Sequence, residues 1–172
     1  MDGIQHYRMF AAYNRWANER IYDAAEYLSD EEWERDVRAF FGSICGTLNH
    51  VLVADRIWMH RFTGTGETHR TLSEMPHPRF AELKTARGAM DERIVDYADS
   101  LDEETLGGLF SYVSITNPTE ITQPLAPALA HFFNHQTHHR GHAHMILSVL
   151  EHEPPPLDLI YFLRTEEGEE FM

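Results

Sequence analysis

A chain of 172 residues is long enough to bury roughly two thirds of its unfolded surface, so one domain spanning residues 1–172 is expected. Its 42% hydrophobic and 12% aromatic content, with only 8 prolines and 10 glycines, excludes a disordered or low-complexity protein. Against 14 basic side chains stand 28 acidic ones, and the resulting charge of −14, with no basic stripe to offset it, argues for no nucleic-acid partner.

Helical periodicity opens the chain. From about Gly3 to Leu28, residues Ile4, Ala11, Asn14, Ala17, Ile21, Ala24 and Leu28 recur at steps of three, four or seven. Ser29 then caps a short turn, with Glu32 completing a capping box. A second helix is predicted from about Ser43 to Phe62, its buried face including Leu48, Val51, Ile57 and Trp58, and it stops at Gly64-Thr65-Gly66. A third runs from about Pro78, placed in its first turn, to Leu101, with Phe80, Leu83, Ala86, Met90, Ile94 and Tyr97 on one face.

Between Leu109 and Gln123 the pattern turns β-branched and aromatic around Asn117-Pro118, which predicts a small hairpin or extended excursion. The fourth long helix, from about Pro124 to Glu151, ends before Pro154-Pro155-Pro156, and "LDLIYFLR" predicts a short helix packing back. Neither a repeat nor an interdomain linker interrupts this order. The class is all-α, a four-helix bundle, whose interior is a usual place for metal sites.

No stretch approaches the roughly 20 apolar residues of a membrane helix, and "MDGIQHYRMF" lacks the basic start and apolar run of a signal peptide. A cytoplasmic protein with no membrane contact is expected. The single cysteine, Cys45, excludes an internal disulfide and a cysteine zinc knuckle, so any metal must use nitrogen or oxygen ligands. At about 140° round the helix from His50, Cys45 is read as a small core residue.

Six of the twelve histidines lie between residues 131 and 144. On a helix His131, His135, His138, His139 and His142 share an arc of roughly 100°, with His144 opposite. Three pairs, His131/His135, His135/His139 and His138/His142, have the i, i+4 spacing that presents two imidazoles to one ion, and spacing alone does not choose among them. A zinc-like ion with an open position takes three protein ligands. The best third candidate is His50, inside the apolar second helix, where an unpaired imidazole is costly. His6, His60, His69 and His77 are read as solvated.

Other signatures are absent: no HExxH, no G-x-S-x-G elbow and no phosphate-cradling glycine loop. "EMPH", Glu74 to His77, has the spacing of a di-iron Glu-x-x-His but contains Pro76 and lies in loop sequence, so it is set aside.

Together, "YNRWANERI", "GTLNHVLVADRIWMHRF" and, some seventy residues on, "HFFNHQTHHRGH" resemble the DinB family of metal-dependent four-helix bundles, related to YfiT-like proteins. The resemblance implies a metal held by His50, His135 and His139, with zinc or nickel as the usual ion, and a homodimer. It also implies a small-molecule substrate, with low-molecular-weight thiols as co-substrates, since the family includes bacillithiol S-transferases and mycothiol-dependent isomerases. Where the family commonly has Arg-Gly-Gln this chain has Arg140-Gly141-His142, which makes His142 an added ligand or substrate contact to test. Gly141 in mid-helix suggests a close approach there. Asp55 and Trp58 are expected to position helices, and His131 and His138 to sit around the site or on the surface.

A metal there would activate a thiol, as in an S-transferase, or water, as in a hydrolase. No carboxylate sits on the histidine stripe, leaving His138 or His142 as proton shuttles. The alternatives are a non-catalytic metal-binding stress or storage protein, with a closed coordination shell, and a protonation-sensitive interaction module.

Overall fold

The computed structural model describes residues 1–115 and 118–172. Helix α1 (Gly3–Ala25) begins at a capping box in which Asp2 accepts from the Gln5 amide and the Gln5 side chain takes the Asp2 N–H. It ends three residues before the expected Leu28, because the chain must turn for Ser29 to cap α2 (Asp30–Glu34) through the predicted Glu32 box. Helix α3 (Ile44–Thr63) starts at Ser43, which accepts from Gly46, and stops at Gly64, whose φ of 70° suits a residue without Cβ.

Helix α4 (Phe80–Asp99) is capped at Arg79, so Pro78 precedes its first turn instead of occupying it. Pro78 serves another purpose: its carbonyl accepts from Trp33 Nε1 at 2.8 Å and fastens α2 to the start of α4. After α5 (Glu103–Gly107), strands β1 (Leu109–Val113) and β2 (Glu120–Pro124) form the predicted hairpin, Leu109 facing Pro124 and Val113 facing Glu120. Asn117 of the turn signal lies outside the described residues. Helix α6 (Leu125–Val149) follows, and the tail packs α7 (Leu159–Phe162) and a 3₁₀ turn (Gly168–Phe171) against α1. No helix among the described residues is long and apolar enough to cross a membrane.

The four long helices form a bundle in the spatial order α1, α4, α3, α6. Helix α4 runs antiparallel to α1, since Arg8 meets Asp99 while Lys84 reaches Asp23 and Glu26. Helix α6 is antiparallel to α3, with His50 beside His135 and His139 and Phe62 beside Phe132. By contrast α3 and α4 are parallel, Asp55 pairing with Arg87 and Thr63 with Arg93. Two parallel neighbours joined in sequence need a connection that travels back the length of a helix, roughly 30 Å for twenty residues. Residues 64–79 supply it and lie across the bundle at the level of His50.

Inside the apolar core sits a polar junction shared by all four helices. Asp55 of α3 accepts from Arg87 of α4 at 2.6 Å, and Arg87 lies 3.0 Å from Asp91 one turn on. Asp91 also accepts from Asn14 at 3.1 Å and Asn18 at 2.8 Å on α1, and these two amides accept in turn from Arg140 of α6. Burial pushes the Asp91 carboxyl up to about 6 even beside Arg87, and the Asp55 carboxyl upward too. Asp55 therefore positions helices as its sequence context suggests, while Trp58 is only half-buried and packs against Tyr112 of the hairpin.

Arg87→Met would leave two buried carboxylates without their shared cation. Urea denaturation at pH 7 should show a loss of about 3–5 kcal/mol, the usual consequence of breaking a buried pair. A loss under about 1 kcal/mol would mean that the junction holds nothing.

Candidate metal centre

Three imidazoles meet between α3 and α6. His50 Nε2 lies 3.4 Å from His135 Nε2 and 3.2 Å from His139 Nε2, and the three nitrogens form a group that could hold a metal ion. A tetrahedral ion with bonds of about 2.0–2.1 Å spaces its ligand nitrogens about 3.3–3.4 Å apart, so the observed distances match. The histidine stripe is thereby sorted: His139 is buried and His135 half-buried, while His131 and His138 are exposed.

The tautomer of His50 follows from its neighbour. Its Nδ1 lies 2.9 Å from the Leu72 carbonyl, which can only accept, so Nδ1 carries the proton and Nε2 turns a lone pair toward the other two rings. His139 Nδ1 is sealed from solvent without a partner among the described residues. Burial, and then the neighbouring imidazoles, hold His135 down to about 4 and His139 down to about 3; burial also lowers His50. Neutral rings with convergent lone pairs fit a divalent cation.

The loop 64–79 and the segment before α3 build the surroundings. Phe41 stacks on His50 with ring centres 3.9 Å apart and an angle of 19°. It reaches that position because Gly46 has no side chain: a Cβ there would fall 2.1 Å from the Phe41 carbonyl oxygen. At Gly141, where a close approach was expected, nothing lies within 4 Å of an added Cβ. The glycine that matters is on α3, and Gly141 is exposed.

Three of the histidines expected in solvent are held instead. The His69 side chain is only 9% exposed and pairs with Glu74 at 2.8 Å. His77 lies 3.1 Å from Arg56 through its ring, and both its backbone groups bond the Asn49 side chain at 3.1 and 2.9 Å. His60 is half-buried against the Gly66 carbonyl, whereas His6 is exposed as expected. Glu74 also accepts from the amides of Arg70 and Thr71, so "EMPH" is a loop staple. Asn49, unremarked in the sequence, and Glu74, weighed there only as part of a metal motif, fix the path that delivers Leu72 to His50. Polar residues beside the site histidine and inside the long connection were the available signal.

The centre opens into a cavity of about 720 Å³ walled by Phe40, Phe41, Leu72 and Ile115, with Arg70, Thr71 and Ser73 on its loop side. His138 and His142 stand at its rim, their rings 4.4 Å apart, and with His139 they form a second group that could hold an ion. Burial lowers His142 from its ordinary value. No carboxylate lines the cavity among the described residues. Cys45 is buried elsewhere, its thiol pushed up to about 11 by burial, which fits a core residue.

An all-α bundle whose second and last long helices deliver three histidines to one point beside a cavity is the class that fold and site define. The chain belongs to the DinB family, whose profile matches residues 4–170. It is similar to Protein DinB of Bacillus subtilis (strain 168), 27% identical over 168 residues, which cover 91% of this chain and 94% of that protein.

Two outcomes are expected here. Gly46→Ala should dislodge Phe41 from His50 and weaken metal binding about tenfold or more, read by competition with a chromogenic chelator; unchanged affinity would remove Phe41 from the site's support. In metal-free protein, His135 and His139 take up protons less readily folded than unfolded. The unfolded chain then binds protons first, so stability is complete above about pH 7 and falls toward pH 4. A His135→Gln/His139→Gln double variant should lose less stability between pH 7 and pH 5 than the parent, by urea midpoints; equal losses would contradict the shifts.

Proposed function

We propose that His50, His135 and His139 hold a divalent metal, zinc or nickel, and that the protein is a metal-dependent enzyme acting on a small electrophile. The carrying observation is the 3.2 and 3.4 Å convergence of Nε2 atoms at the floor of a 720 Å³ cavity. Nitrogen donors alone do not separate zinc from nickel.

When bound, such an ion would lower the pKa of a thiol or water in its open position so that the nucleophile exists at neutral pH. The residues of this chain do the rest. The Leu72 carbonyl holds the proton on His50 Nδ1 and so keeps Nε2 free for the ion. Phe40, Phe41, Leu72 and Ile115 line the approach with apolar surface against which the body of a substrate can pack. His138 and His142, at the rim, are placed to carry protons between the cavity and solvent.

Thiol transfer is preferred to hydrolysis because it needs no further base, and no carboxylate lines the cavity. Support for turnover over storage comes from that cavity: a storage site would close its shell, yet His142 stands outside the convergent trio. The family resemblance adds a low-molecular-weight thiol as co-substrate and a homodimer as the assembly, and the cytoplasm is the compartment that the sequence leads us to expect.

Protein purified without a metal column should carry about one ion per chain by elemental analysis, and His50→Ala should lose it. Full occupancy in His50→Ala would overturn the ligand set. With monobromobimane as electrophile and a panel of small thiols, the loaded protein should accelerate thiol consumption and the chelator-treated protein should not; equal rates would reject thiol transfer.

A further inference from the structure

Behind His135, away from Phe41, lies a second chamber of about 330 Å³. It shares Leu72, Ile115 and His135 with the larger cavity, so the two flank the same imidazole. Its apolar wall is Ala54, Ile57 and Trp58, and its polar wall is Arg61 with His131.

Arg61 is the unusual member. Its guanidinium carbon lies 4.5 Å from the Trp58 ring centre and 4.4 Å from that of Tyr112, on the hairpin. The two ring centres are themselves 5.4 Å apart, so Trp58 and Tyr112 pack together on one side of the guanidinium and leave its N–H donors without an acceptor among the described residues. Arg8, Arg15, Arg35, Arg56, Arg79 and Arg87 each hold a carboxylate in this acidic chain. Arg61 meets no carboxylate among the described residues, although it is half-buried. Burial lowers its pKa from the ordinary value, the mark of a cation that an anion would stabilise. A guanidinium seated against two adjacent rings at the wall of an apolar chamber, with its N–H donors unused among the described residues, is preorganised for the two oxygens of a carboxylate.

We infer that Arg61 is the anion-recognition residue of a subsite that takes a flat, apolar-bodied carboxylic acid. The carboxylate would sit on the guanidinium edge and the body against Ala54, Ile57 and Leu72, pointing toward His135. Deepening the proposed function, this assigns the electrophile to the smaller chamber and the thiol to the larger; that role rests on the enzyme reading, but the binding does not.

The test uses the full chain stripped of metal with a chelator, so that neither carboxylate nor amide has an ion to ligate. 1-Naphthoate and its neutral isostere 1-naphthamide are titrated by calorimetry and by quenching of tryptophan fluorescence. Naphthoate should bind about tenfold tighter or better, as expected for a charge-assisted pair. Arg61→Met should remove that advantage and leave naphthamide within about twofold. Should Arg61→Met lose naphthamide as well, Arg61→Gln, which keeps a planar polar group but removes the charge, replaces it with the same two readings. Equal affinity of the two ligands in the parent, no binding of either, or naphthoate affinity untouched by the substitution would overturn the subsite. Each of these readings is independent of whether metal analysis and thiol turnover succeed.

Discussion

Everything at the centre depends on how helix α6 is rotated about its axis. Gln136 and Arg140 follow His135 and His139 by one residue, so each i, i+4 pair occupies an adjacent stripe of the same helix. Gln136 and Arg140 are buried, and Arg140 donates to Asn14 and Asn18 of α1. With that stripe anchored to the polar junction, the stripe about 100° away turns toward α3, where His50 waits. A buried guanidinium deprived of its acceptors is far more costly than a misplaced methyl, so the junction holds the rotation more strictly than apolar packing would.

Direction follows from two contacts taken together: Asp55 with Arg87 and, farther along both helices, Thr63 with Arg93 are met only when α3 and α4 run parallel, and this sends residues 64–79 back along the bundle. A loop required by connectivity becomes part of the site: the Leu72 carbonyl sets the His50 tautomer, and Arg70 to Ser73 form a cavity wall. Asn49, next to the site histidine, bonds His77 through both backbone groups, while Glu74 gathers His69 and two amides. The backbone that faces the candidate metal is thus pinned from both ends, as outer partners of metal-binding histidines usually are.

Electrostatics divide the interior into two zones. At the junction, charges are retained in pairs even though burial opposes them, as the raised Asp91 carboxyl shows. At the histidine trio the same desolvation keeps the rings neutral, which leaves lone pairs free at ordinary pH. Between these two zones charge is kept at the junction, where it is matched, and the floor of the cavity is left as neutral nitrogen donors in a chain of strongly negative overall charge.

Periodicity, capping residues and breakers are local signals, and they sufficed for the four long helices, the Ser29–Glu32 cap and the hairpin. Histidine spacing likewise placed a stripe on α6, and an imidazole within an apolar helix pointed to His50. What local signals could not do was choose among three equivalent i, i+4 pairs; the family resemblance did that, and the geometry agrees in bringing His135 and His139 to His50. Nor did they reveal Gly46 as the close approach in place of Gly141, or the capture of His69 and His77, since each depends on a partner distant in space or on a loop's path. Sequence by itself determined which residues could become helix and which side chains could bind an ion. Only the tertiary structure decided which of them meet, because the meeting depends on helix rotation and direction set by buried contacts that join residues about 30 to 125 positions apart.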